Sequence, residues 1–118
     1  MTRGALVVAV VLAAASARAH WASPDEIVAG MMTPAARVAT GVERAERDAN
    51  NARVLLVRVG PGWFGLPAPV RTTTAAEWYA SWRHTVPQGV VAVLDVRTDE
   101  PVVRYGREGA VVAVAGTR

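Results

Sequence analysis

A chain of 118 residues with ten acidic and thirteen basic side chains, every basic one an arginine, and no cysteine is long enough for one domain and one modest core. The composition excludes disulfides, thiol nucleophiles and cysteine–metal centres, and the lack of lysine excludes Schiff-base and phosphate-loop chemistry. A formal charge of +3 says little about nucleic acid, because that footprint needs clustered excess charge, and no nucleic-acid partner is expected.

At the amino end, Arg3 precedes an uncharged, mostly apolar run from Gly4 to Ala17, followed by small residues at cleavage spacing. This is the pattern of a bacterial export signal. Two sites fit: Ala15-Ser16-Ala17, and Ala17-Arg18-Ala19 with His20 as the new N-terminus. The run is shorter than the roughly 20 apolar residues that span a bilayer. Residues 1–19 are therefore expected as a removed signal peptide and the mature chain as a periplasmic or extracellular protein, meeting the membrane only through an uncleaved signal segment. Removal takes away Arg3 and Arg18 and leaves the charge nearly balanced.

Residues 20–32 read as an irregular lead-in, and 33–118 as one small α/β domain. Thr33-Pro34 marks a helix start, with Thr as N-cap and Pro at the first helical position. Ala35, Val38, Val42, Ala45 and Ala49 recur at three- and four-residue steps and predict one apolar helix face. Glu43–Arg47 and Arg44–Asp48 then fall as i,i+4 pairs on the other face. Gly41 weakens this helix, and Asn50-Asn51 ends it. Arg53 to Val59 is β-branched and nearly continuous, as expected for a strand covered on both faces. A Gly/Pro-rich loop, Gly60 to Arg71, carries Trp63 and Phe64. Thr74-Ala75-Ala76-Glu77 is a capping-box pattern, after which Ala75, Trp78 and Trp82 line one helix face and are expected in the core. Gly89 to Val96 predicts a second buried strand. Thr98-Asp99-Glu100-Pro101 turns the chain into Val102 to Tyr105, and Ala110 to Ala115 predicts a last strand. A strand–helix–strand unit implies a right-handed parallel pair, and the later strands follow closely enough for antiparallel hairpins. The expected architecture is a single mixed α/β sheet with helices packed on it.

Four stretches together resemble the TPM domain, an α/β family of exported or membrane-anchored bacterial proteins and thylakoid-lumen proteins. They are Ala29-Gly30-Met31-Met32-Thr33-Pro34, similar to the family's opening before its first helix; Arg53 to Val59, in the place of its first strand; Tyr79 to Trp82, similar to a helix end; and Gln88 to Val96 with Val102 to Gly109. In the last, Tyr105, Gly106, Glu108 and Gly109 match the Gly-Tyr-Gly-x-Glu-Gly signature as they stand. Ile27 occupies the place of the family's usual acid, Gln88 that of an Asn, and only nine residues follow Gly109. The resemblance implies three possible activities: acid phosphatase action, metal binding, or upkeep of a larger assembly. The short tail and the missing acid favour a module that binds or scaffolds, with a protein partner or envelope component, over a metal-dependent phosphatase of the same fold.

In open α/β sheets, ligands sit beyond the carboxyl ends of the strands. Trp63 and Phe64 are expected there as ligand-binding pocket walls, beside Asp95 and Asp99, or else as a plug on the core. Asp95, Asp99 and, through the TPM signature, Glu108 are candidate ligands for calcium or magnesium, provided they converge. Ordinary turn chemistry explains the acids equally well. A separate reading places copper on His20, whose free α-amine would lie beside its imidazole, with His84 as a third nitrogen. His84 alone is a favourable charge at a helix end.

Overall fold

The computed structural model describes residues 22–112. Residues 1–21, which include the expected signal segment and His20, lie outside the described residues, as does the chain beyond 112. Within them, the order is α1 (Pro24–Met31), α2 (Pro34–Thr40), β1 (Val42–Arg47), β2 (Val54–Val59), α3 (Pro61–Phe64), α4 (Ala68–Thr85), β3 (Val90–Asp95), β4 (Pro101–Gly106) and β5 (Gly109–Val112). The five strands form one sheet in the order β1-β2-β3-β4-β5. β2 and β3 run parallel, joined through α3 and α4, and every other neighbouring pair is antiparallel. The expected mixed α/β sheet with a parallel strand–helix–strand core is the observed fold.

The lead-in is not irregular. Ser23 caps α1 with a reciprocal capping box: the Glu26 amide donates to the Ser23 hydroxyl at 3.2 Å, and the Ser23 amide donates to the Glu26 carboxylate at 3.3 Å. Pro24 takes the first helical position, where its missing N–H costs nothing. Met31 is buried, with Ile27 and Val28 packed beside it.

The helix expected over 33–49 is cut short. Thr33 caps α2 as expected, accepting from the Ala36 amide at 3.2 Å, but the helix ends at Thr40. Gly41 is its left-handed C-cap, with φ 78°, the conformation for which glycine is favoured. A Cβ on Gly41 would lie 2.0 Å from the Trp63 backbone nitrogen, so the turn also needs glycine for space. β1 follows and pairs with β2. Val42 and Ala45 face the core, whereas Val38 is 87% exposed. A register shift between Val42 and Arg44 inserts an extra residue into the strand. The two inward side chains therefore stand three apart, a spacing that reads as helical. The i,i+4 ion pairs do not form. Arg44 pairs instead with Glu46 at 3.0 Å, and Arg37 with Glu43 at 3.9 Å.

The second long helix begins earlier than Thr74, at Ala68 behind Pro67. Proline is tolerated in a first helical turn, and the Arg71 guanidinium donates to the carbonyls of Phe64 and Leu66 at 3.2 and 2.7 Å, tying α4 to α3. Ala75 and Trp82 are buried on its inner face, and Trp78 is half-buried against the same core. Leu55, Val57 and Val59 of β2, Val91 and Val93 of β3, and Val103 and Tyr105 of β4 complete that core. They occupy alternate positions, so the described helices cover one face of the sheet. Val54, Leu56 and Arg58 on the opposite face of β2 are only half-buried. The strands are thus half-covered rather than covered on both faces. The opposite face keeps apolar residues, which made the strands read as continuous.

Candidate functional site

The expected site lies beyond the carboxyl ends of β2 and β3, and its acids are engaged. The Asp95 carboxylate accepts the Arg97 amide at 2.9 Å, and the Arg97 guanidinium stands 3.4 Å away. The backbone hydrogen bond first, and the guanidinium second, hold the Asp95 carboxyl below the usual aspartate range. Asp99 turns the chain with φ 61° and accepts from Arg58 Nε at 2.9 Å. Arg58 also donates to Glu46 at 2.8 Å. The Asp99 bond, reinforced by Glu46, raises the Arg58 pKa against the opposing effect of burial. These bonds tie the β3–β4 turn to β2 and β1.

Glu108 is elsewhere. It follows β4, which runs antiparallel to β3, so it sits at the amino end of β3 while Asp95 and Asp99 sit at the carboxyl end. The three carboxylates are not brought together, and no cluster of three His, Asp or Glu suited to a metal ion occurs among the described residues. Trp63 does not wall a pocket. It is 1% exposed and stacks on Trp78 with centroids 5.1 Å apart, so it plugs the core. Its neighbour Phe64 is 40% exposed. His84 lies in the last turn of α4, and its proposed copper partner His20 is outside the described residues.

A concavity lies at the opposite end of the sheet. A groove of about 540 Å³ opens around the amino ends of β2 and β3 and the β4–β5 hairpin. Arg53, Arg83, Arg104 and Arg107 line it, with Glu108 as its single acid. Each comes from a different place. Arg53 leads into β2 and donates to Gln88 at 3.1 Å. Arg83 projects from α4 with its guanidinium carbon 6.0 Å from the Tyr79 ring centroid, and Tyr79 in turn stacks on Tyr105. Arg104 lies on β4 opposite Val111, on the sheet face away from Val103 and Tyr105. Arg107 is in the hairpin turn.

Their neighbours are small where the chain bends. Gly89 is buried, and a Cβ there would meet Trp82 Cδ1 at 2.7 Å. Gly109 makes the hairpin with φ 90°. Sequence reasoning missed this site because the four arginines are spread over 53–107. Only Arg104 and Arg107, flanking Tyr105-Gly106, are close in the chain, and a total formal charge of +3 does not show where the arginines gather.

No protein-family model matches the chain, and no curated protein or solved structure matches it.

Proposed function

We propose that the chain is an extracytoplasmic, TPM-like module that acts by binding or scaffolding rather than by catalysis. The observation that carries the reading is the commitment of the acids. Asp95 and Asp99 are each engaged by an arginine, through Arg97 and Arg58, and Glu108 stands at the other end of the sheet. A carboxylate held by a guanidinium is a poor general base and a poor metal ligand until that bond breaks. Export, read from the apolar run and its cleavage sites, and the TPM likeness, read from the four stretches, supply the rest. In the resemblance, Arg53 to Val59 stood for a first strand; here it is the second, preceded by β1.

The test is hydrolysis of p-nitrophenyl phosphate by the purified mature protein, with calcium or magnesium present. No turnover above the buffer rate is expected. Metal-dependent turnover that disappears in Asp95→Asn would overturn the reading in favour of a phosphatase.

A further inference from the structure

We propose that the arginine groove at the amino ends of β2 and β3 binds a phosphate-bearing anion. The inference rests on reading the chain as a binding module, and it names the chemistry that module recognises.

The arginines of the described residues sort by place. Arg37, Arg44, Arg58 and Arg97 each pair with a carboxylate. Arg47 and Arg71 donate to backbone carbonyls. The four around the groove do neither. Arg53 holds a neutral amide and Arg83 an aromatic face. Among the described residues, the side chains of Arg104 and Arg107 make no hydrogen bond or ion pair. Ten acidic residues are present in the chain, yet only Glu108 lines this groove. Gathering like charges around one concavity opposes folding through mutual repulsion and focuses a positive potential into the cleft. An anion bound there removes the repulsion.

The geometry narrows the anion. A guanidinium is a planar fork that engages two oxygens at once. One carboxylate carries a single charge and two oxygens, enough for one fork. A phosphate group offers three or more oxygens and up to two charges, so it engages several arginines from different directions. Arg53 and Arg83 are already oriented, by Gln88 and by Tyr79, which lowers the ordering cost of binding. Arg104 and Arg107, exposed on β4 and in the hairpin turn, line the same groove. A volume of about 540 Å³ falls within the roughly 300–1,000 Å³ of small-ligand sites. A soluble phosphate compound and a phospholipid headgroup present the same chemistry to this groove.

The experiment is calorimetric titration of the mature protein with pyrophosphate, repeated on Arg104→Gln, Arg107→Gln and, as control, Arg97→Gln at the opposite end of the sheet. Both groove side chains are exposed and unpartnered, so the substitutions leave the fold intact. Saturable binding is expected, weakened about tenfold by each groove substitution, in line with the loss of a charge-assisted bond, and unchanged by Arg97→Gln. Pyrophosphate should also raise the melting temperature of the parent protein. Sedimentation with phosphatidylglycerol and phosphatidylcholine vesicles separates the sources. Capture by the anionic vesicles alone, reversed by pyrophosphate, supports a lipid headgroup; pyrophosphate binding without capture supports a soluble ligand.

An absence of binding, or equal binding by the parent and both groove variants, overturns the site and leaves the non-catalytic module standing. Release of inorganic phosphate during the titration would do the reverse: it supports the groove as the phosphate site and overturns the non-catalytic reading.

Discussion

Replacing Trp82 separates the packing that holds α4 on the sheet from the hydrogen bond that positions it. The ring is completely buried, lies 5.6 Å below the Arg47 guanidinium carbon, and closes against Gly89. Its Nε1 donates to the Arg53 carbonyl at 2.8 Å. That carbonyl also accepts the Val90 amide at 2.8 Å, so removing the indole N–H leaves no orphaned acceptor. Trp82→Phe therefore loses one hydrogen bond and a little volume, and should cost about 1–2 kcal/mol. Trp82→Ala removes the ring and leaves a cavity, and should cost about 3–5 kcal/mol. Small domains hold about 5 kcal/mol at the low end of the usual range, so the alanine variant would be largely destabilised while the phenylalanine variant stays folded. Urea unfolding followed by far-ultraviolet circular dichroism measures both, with the slope checked for two-state behaviour. An alanine cost below about 1 kcal/mol, typical of surface positions, would refute the packing argument. Equal costs for both variants would place the energy in the hydrogen bond instead.

Gly41→Ala combines a left-handed φ with a Cβ 2.0 Å from the Trp63 nitrogen, so its loss should exceed the roughly 1–2 kcal/mol of the backbone conformation alone; thermal melts should show it unfolding well below the parent. Gly30→Ala in α1 meets nothing within 4 Å and should instead raise stability by about 0.5–1 kcal/mol. Asp95 has its pKa lowered in the fold, by the Arg97 amide first and its guanidinium second, so its ionised form stabilises the domain above the unfolded value of about 3.9. That contribution is lost as pH falls through the depressed folded value, and Asp95→Asn should flatten the acid limb of a stability–pH curve; an unchanged limb would show that the bond contributes nothing. Mass spectrometry of the exported protein should find an N-terminus at His20 or Arg18, and an intact Met1 species in the membrane fraction would refute export.

What the sequence made legible was whatever local pattern and tertiary structure agreed on. The β-branched runs Arg53 to Val59 and Gly89 to Val96 became β2 and β3, and the helical connection between them fixed their parallel pairing. Thr33-Pro34 did start a helix. The failure at Val42–Arg47 has a definite cause. A bulge sets the inward residues three apart, and Glu43 with Arg47 and Arg44 with Asp48 stand at the spacing of helical ion pairs. Only pairing with β2, a non-local contact, distinguishes the two. The start of α1 is marked locally, because Ser23-Pro24-Asp25-Glu26 carries a capping box with proline at the first helical position. Trp63 was ambiguous because an aromatic in a Gly/Pro loop can line a pocket or plug a core, and its stacking on Trp78 decides for the core.

The displacement of the candidate site from one end of the sheet to the other has a topological reason. The rule that ligands gather at carboxyl ends belongs to sheets in which every crossover leaves a loop at that end. Here only β2 and β3 are parallel, and three of the four pairings are antiparallel, so loops are shared between the two ends and the rule loses its force. The carboxyl end is then closed from both sides. The carbonyl of Gly41 accepts the Gly60 amide at 3.0 Å, and Trp63 seals the entry to α3, while the Asp99–Arg58–Glu46 bonds fasten the β3–β4 turn. The amino end has the opposite character. Gly89, Gly106 and Gly109 line a groove that no side chain of theirs fills, and the four arginines around it outnumber its single acid, Glu108. Opposite charges neutralised at one end and like charges gathered at the other form a polarity that total charge cannot reveal, and it is this polarity, rather than strand direction, that selects where an anion binds.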